Sequence, residues 1–270
     1  MLSRAAFVNG GASAPRATVL ASGSAGNAVL LEAGGYGLLV DAGLSADALE
    51  RALARVAAPV RTVRAVLLTH EHDDHARGAG PLARALDVPV YANAGTARAA
   101  GEALAGAGVT VFEMGRPFAA GPFAVTAFPV PHDAAEPAGF AVEVEGRRVV
   151  IATDLGAAGD VLDGHLADAN LAILESNYDL GLLHVSGYPW FLKNRILSGV
   201  GHLSNDDAAR ALVRTAGRRR RVVLVHLSES NNLAALARDT VRDALAAAGR
   251  ADHAVRAVPP NGCTEPIEIV

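Results

Sequence analysis

The apolar positions of this chain fall into short runs rich in Val, Ile and Leu, bounded by glycine and too short for helices, and such runs predict strands. Four open the sequence: ATVLA (17–21), AVLLEA (28–33), GLLVDA (37–42) and VRAVLLT (63–69). The GGY between the second and third reads as a hairpin turn. Between the third and fourth, SADALERALARVA (45–57) spaces its apolar residues at the helical period, with Ser45 placed as a cap. A ββ start therefore passes into a βαβ unit. The same reading predicts strands at 88–91, 109–112, 122–129, 138–145, 147–153, 169–174, 222–226 and 265–269, and helices at 76–87, 95–106, 204–216 and 232–248. Strand-rich segments with helices in both halves point to an α/β fold of two sheets packed face to face with helices outside. Neither a repeat nor a low-complexity linker divides the pattern, so residues 16–270 read as a single domain after a flexible extension at 1–15, where Gly10, Gly11 and Pro15 act as breakers.

Composition narrows this picture. With 270 residues the chain can bury a large core without crosslinks, and with only 4% aromatics that core must come from Val, Leu, Ile and Ala. Cys263 is the only cysteine, so no internal disulfide forms and any metal site must use nitrogen and oxygen ligands. No signal-like or membrane-spanning apolar stretch is visible, and the expected location is the cytoplasm, with no membrane partner. A net charge of −4 argues against coating nucleic acid through bulk electrostatics, although bound divalent cations would make a local phosphate site possible.

Candidate chemistry concentrates in LLTHEHDDHARG (67–78), directly behind a strand and before a predicted helix. His70 and His72, two apart in extended chain, point to one side and can hold one ion; Asp74 and His75 reach a neighbouring one as the chain bends. A solvated helix cap would need neither three histidines nor their interleaving with acids. His132, Asp154 and His226 each stand where another strand opens onto a loop, which is where partners for such a cluster belong.

HxHxDH followed by separate His, Asp and His resembles the signature of metallo-β-lactamase-fold hydrolases, and the resemblance runs from about Thr18 to the C-terminus. LASGSAGNAVLLEAGGYGLLVDAGLS, ESNYD, GYPWFLKNRILSGVGHLSNDDAA and VHLSESNN look more narrowly like the YycJ (WalJ) branch, whose members are implicated as DNA exonucleases. The resemblance implies an αββα sandwich of two mixed sheets and two divalent ions, zinc or manganese. His70, His72 and His132 would hold one, Asp74, His75 and His226 the other, and Asp154 would bridge. Two cations ~3.5–4 Å apart turn a shared water into a nucleophile near neutral pH. Asp41, ending LLVD, matches the family's buried aspartate and would fix a ligand imidazole, with Thr69 in a lesser supporting role. By resemblance to a tRNA-processing branch, His202 is a candidate general acid or phosphate contact before a helix capped by Ser204 or Asn205.

Departures are the long N-terminal extension and a variable stretch containing Tyr178 and His184. Within 186–199, Tyr188, Trp190 and Phe191 accompany Lys193 and Arg195; the segment reads equally as a platform for nucleic acid or as an apolar loop anchor, with Trp190, Lys193 and Arg195 as candidate substrate contacts. SGSAGN (22–27) could line the site. His165, His184 and His253 read as surface or packing residues, RRRR (218–221) as a solvated face, and Cys263 as without a catalytic partner. The expected activity is a dinuclear phosphodiesterase, a DNA exonuclease of 5′-to-3′ polarity taken from the branch, with Asp74 and His202 catalytic. A thioester or lactone hydrolase, an RNA- or tRNA-processing nuclease, and a metal-stabilised binding module are the competing readings. Oligomeric state is not legible.

Overall fold

The computed structural model describes residues 14–270. The first half contains β1 (Arg16–Ala21), β2 (Ala28–Ala33), β3 (Tyr36–Val40), α1 (Ala46–Arg55), β4 (Val63–Leu67), α2 (Asp73–Ala76), α3 (Ala79–Leu86), β5 (Val90–Asn93), α4 (Ala94–Ala99) and β6 (Val109–Phe112). The second contains β7 (Phe118–Ala120), β8 (Phe123–Pro129), β9 (Ala138–Val144), β10 (Arg147–Ala152), α5 (Asp160–Leu166), β11 (Leu171–Glu175), α6 (Leu180–Val185), α7 (Trp190–Leu197), α8 (Asn205–Arg214), β12 (Arg221–Val225), α9 (Ala234–Ala247), β13 (Ala254–Ala257) and β14 (Ile267–Glu268). They form two seven-stranded sheets, ordered β14-β1-β2-β3-β4-β5-β6 and β13-β12-β11-β10-β9-β8-β7. Both are mixed: β3 to β6 are parallel and the hairpins before them antiparallel, while β10 to β13 are parallel and β7 to β10 antiparallel.

The unbroken apolar runs are explained by cover on both faces of each strand. One set of alternate positions, including Leu31, Leu38, Leu67, Phe140, Ile151 and Ile173, fills the space between the sheets. The other set turns outward. On the first sheet Leu30, Leu39 and Val66 pack under α1 and α3 through Leu49, Leu53 and Leu82. On the second, Val150, Leu174 and Leu224 pack under α5, α8 and α9 through Leu162, Leu212 and Val241. At ~1.5–3 kcal/mol for each large side chain removed from water, these three layers dominate the fold's stability and fix the register of every strand. Both sheets then present the carboxyl ends of their parallel strands along one rim, where open α/β sheets place ligands.

Several expectations need correction. The helix expected at 76–87 is two, because the chain must pass tightly between them: Gly78 N donates to Ala42 O at 2.7 Å, and a Cβ there would stand 2.1 Å from Leu44 O. The helix expected at 95–106 ends at Ala99, ahead of Gly101, and continues as turns. Strands β7 and β13, and helices α5 to α7, are additions that short or weakly patterned segments did not signal. Residues 1–13 of the expected extension lie outside the described residues. Pro15, assigned to it, is buried and its carbonyl accepts from Ile269 N at 2.8 Å. RRRR is not uniformly solvated: Arg220 is 2% exposed, donating to the carbonyls of Leu166 and Thr215, and burial lowers its pKa to about 10. No helix among the described residues is long and apolar enough to cross a membrane.

Candidate metal centre

Strand β4 ends at Leu67, and the next residues carry the backbone over the rim between the sheets. Their path is set by close contacts with the β3–α1 and β1–β2 turns: Ala42 N donates to His75 O and Asn27 N to Asp74 O, both at 2.8 Å. Gly43 lies so near that a Cβ on it would stand 1.6 Å from Asp74 O, so only glycine fits there. Asp41, Asp154 and His226 follow β3, β10 and β12, and all three adopt left-handed backbone, with φ of 60°, 55° and 56°. A non-glycine residue held so costs on the order of 1–3 kcal/mol. Backbone bonds hold it: Asp41 N donates to Leu67 O at 2.8 Å, His226 N donates to Ser22 Oγ at 2.7 Å, and His226 O accepts from Asn177 Nδ2 at 2.7 Å.

The seven side chains from distant parts of the sequence converge. Donor atoms of His70, His72 and His132 lie within 4.8 Å of one another, as do those of Asp74, His75 and His226, and those of His70, His75 and Asp154. His70 Nε2 stands 3.1 Å from His72 Nδ1, and His75 Nε2 stands 2.9 Å from Asp154 Oδ2 and 3.5 Å from Asp74 Oδ2. His226 Nε2 is 3.8 Å from Asp74 Oδ2, and His132 Nε2 3.9 Å from Asp154 Oδ1. Atoms bound to one ion at ~2.0–2.2 Å stand roughly 3–3.5 Å apart, so the shorter of these separations already fit.

Four of the imidazoles are oriented from behind. His75 Nδ1 donates to Asp41 Oδ2 at 2.8 Å. Thr69 Oγ1 donates to the same carboxylate and accepts from His70 Nδ1 at 2.9 Å. His132 Nδ1 donates to Gly201 O at 3.2 Å, and His226 Nδ1 to Glu175 Oε1 at 2.8 Å. These bonds leave His70, His75, His132 and His226 with Nε2 directed at the cluster, the tautomer a metal requires. His132 Nε2, His226 Nε2 and Asp154 Oδ2 are buried and have no hydrogen-bond partner among the described residues. Each such orphan costs ~1–3 kcal/mol, which a cation would relieve, so the residues present fit a divalent cation with nitrogen and oxygen ligands.

Electrostatics agree. Burial works against the charged form of His75, but Asp154 and Asp41 outweigh it and hold its pKa well above the usual range. Burial is likewise outweighed at His226, where Asp154, Asp74 and Glu175 raise the pKa to about 10. Burial, aided by His75, pushes His70 well below its usual value. Asp154 is opposed by burial, yet His226 and His75 hold its carboxyl well below the usual carboxylate range. The carboxylates thus demand positive charge at this spot, which bound cations would supply in place of protons.

Glu175 is the functional residue that sequence reasoning passed over. It is fully buried at the end of β11, and its Oε1 accepts from both His226 Nδ1 and His202 Nδ1 at 2.8 Å. Its Oε2 accepts from the backbone of Leu155 at 2.9 Å and Leu203 at 3.0 Å. The signal was available: a carboxylate closing the apolar run LAILE, at the same strand-end position as Asp41 and Asp154.

A cleft lies beside the cluster, lined by Ser24, His132, Asp133, Asn177, Arg195 and His202 among others. His202 stands before α8, whose N-cap is Ser204 accepting from Asp207 N. Burial works against charge on His202, but Glu175 and Asp154 raise its pKa. Arg195 reaches the cleft from α7 and pairs with Asp133 at 2.8 Å. Lys193 does not line this cleft; it donates to His184 O at 2.7 Å. Trp190 and Phe191 are 73% and 74% exposed, so they do not anchor their loop; Tyr178, Leu183 and Ile196 do, with Tyr188 and Leu192 packed against them. From SGSAGN, Asn27 Nδ2 comes within 3.0 Å of His75 Nε2. His165 stacks on Phe128, His253 is buried, His184 is exposed, and Cys263 is exposed and free.

Fold and cluster together define a class, and residues 36–227 match the family described as "Beta-lactamase superfamily domain". The chain is 41% identical over 233 residues to exodeoxyribonuclease YycJ of Bacillus anthracis, covering 84% of this chain and 88% of that protein. It is 38% identical to exodeoxyribonuclease WalJ of Streptococcus pneumoniae, covering 86% and 88% respectively. The metallo-β-lactamase-fold protein YhfI from Bacillus subtilis superposes with a TM-score of 0.71 at 22% identity, over 94% of this chain and 100% of that one, a likeness of fold. The chain belongs to the β-lactamase superfamily and, within it, to the branch that contains YycJ and WalJ.

Proposed function

We propose that this chain is a metal-dependent phosphodiesterase that degrades DNA exonucleolytically, in the 5′-to-3′ direction, in the cytoplasm. The observation that carries the reading is the cage of His70, His72, Asp74, His75, His132, Asp154 and His226, with unpartnered acceptors directed inward beside an open cleft. The 41% identity to an exodeoxyribonuclease supports DNA as substrate. His70, His72 and His132 would hold one cation and Asp74, His75 and His226 a second, with Asp154 available to both groups; zinc and manganese both suit this donor set. When bound, such cations supply Lewis acidity toward a phosphoryl oxygen and an ionised water at neutral pH.

The chain's own residues supply the rest. Asp41, directly and through Thr69, holds the rings of His75 and His70 in position. Glu175 does so for His226 and simultaneously for His202. With Nδ1 held by Glu175, His202 keeps Nε2 free toward the cleft and donates its proton to the departing oxygen. Arg195, set by Asp133, meets a phosphate as the strand enters. The test is hydrolysis of a 5′-phosphorylated DNA oligonucleotide, its RNA counterpart, and a panel of thioesters and lactones by the cation-loaded chain, with a chelator control. Stepwise release from the 5′ end of DNA that stops with chelator is expected. Activity on thioesters alone, or cleavage of RNA in preference to DNA, would overturn the assignment.

A further inference from the structure

We propose that the outer face of α7 is a stacking platform for an unpaired strand, so that the substrate passing the metal cluster is single-stranded at that point. This inference rests on the nuclease reading above and specifies the form of the nucleic acid.

Exposed large apolar side chains are not scattered over this molecule. Of the eleven among the described residues, six lie between Leu180 and Val200: Leu180, Val185, Trp190, Phe191, Leu197 and Val200. A concentration of this kind marks a surface that something covers. Trp190 and Phe191 are the first two residues of α7, so their rings stand at its start instead of packing beneath it.

Two features choose the occupant. The first is continuity: Leu192, Arg195 and Ile196 of the same helix line the cleft that holds His132 and His202. A strand with its phosphate at the cluster must therefore run past α7, whereas a protein seated across the helix would close the cleft. The second is charge. No Asp or Glu occurs from Leu180 to Leu203 in a chain of net charge −4, and the chain's only lysine, Lys193, is in that span. The carboxylates that touch this span are engaged elsewhere: Asp133 pairs with Arg195, Glu175 with His202, and Asp179 caps α6, so none of the ion pairs among the described residues includes Lys193. Flat aromatic faces beside an uncompensated cation suit bases and phosphates of a single strand, whose bases, unlike those of a duplex, are free to stack.

Trp190 is the only tryptophan of the chain, so its fluorescence reports on this face alone. A decathymidylate with phosphorothioate linkages, which resists turnover, should quench it saturably on the cation-loaded chain, and a duplex of equal length should do so far less. In kinetics, KM should fall as a DNA strand lengthens from two to ten nucleotides, and Trp190→Ser with Phe191→Ser should flatten that dependence, raising KM for the longest strand about tenfold. Quenching on the unmodified chain stands even if the double variant fails to fold. An unchanged signal while a fluorescently labelled strand binds by anisotropy would overturn the platform and leave the nuclease reading intact. Concentration-dependent self-association that Trp190→Ser abolishes would assign the face to a second copy instead. Failure of any oligonucleotide to be hydrolysed or bound would instead remove the nuclease reading on which the platform rests.

Discussion

The loop from His70 to His75 and the segment from Leu180 to Leu203 both serve the same rim, yet they are built on opposite principles. In the first, His70 and His75 are buried, each ring has its rear nitrogen bonded, and glycines at 43 and 78 let neighbouring backbone lock the path. In the second, two aromatic rings are nearly three-quarters exposed on a short helix anchored by a small cluster around Tyr178, Leu183 and Ile196. A group that holds a cation must be oriented beforehand in a dry setting, where misplacement by an ångström is costly. A group that handles a long, variable substrate must stay accessible. The difference teaches that this molecule keeps rigidity where bonds would change and tolerates exposure where substrate would slide.

That contrast can be broken at graded cost. Asp154→Ala should abolish retention of cations and reduce turnover by on the order of 1000-fold, since several kcal/mol of charge stabilisation disappear with it; metal analysis beside single-turnover rates checks this. His202→Ala should lower turnover by roughly 100-fold with cation content intact. Loss of metal in that variant would make His202 a ligand. Glu175→Gln should cost about 10- to 100-fold, and it should differ from both by weakening cation affinity and turnover together, because one carboxylate oxygen serves His226 and His202. Thr69→Val should loosen cation binding by ~10-fold through the lost bond to His70, measured by chelator competition. Lys193→Ala should have the smallest effect, a few-fold weaker strand affinity that shows as a slope against salt concentration reduced by about one.

The legible part of the site was the part written locally. HEHDDH stands out because so many polar groups rarely follow a strand without a charge to hold, and His132, Asp154 and His226 were marked by their positions at strand ends. Glu175 escaped because the lone glutamate that closes LAILE has no local partner; its two histidines come from the end of β12 and from the turn before α8. Arg220 misled for a related reason: in RRRR the four side chains look alike, and only tertiary contacts with the carbonyls of Leu166 and Thr215 single out the one that is buried. Helices α5 to α7 were missed because short helices fixed by tertiary contact carry little periodic signal.

The sequence by itself determined the alternation that places strands between two buried faces, the donor types available to a cation, and the αββα class, because periodicity and side-chain chemistry are properties of each segment. Only the tertiary structure decided which ring nitrogen points inward, which carboxylate supports which histidine, and which aromatic rings meet solvent. Those depend on contacts between residues far apart in the chain, 204 positions for Ser22 and His226, and no local pattern encodes a hydrogen bond formed across two sheets.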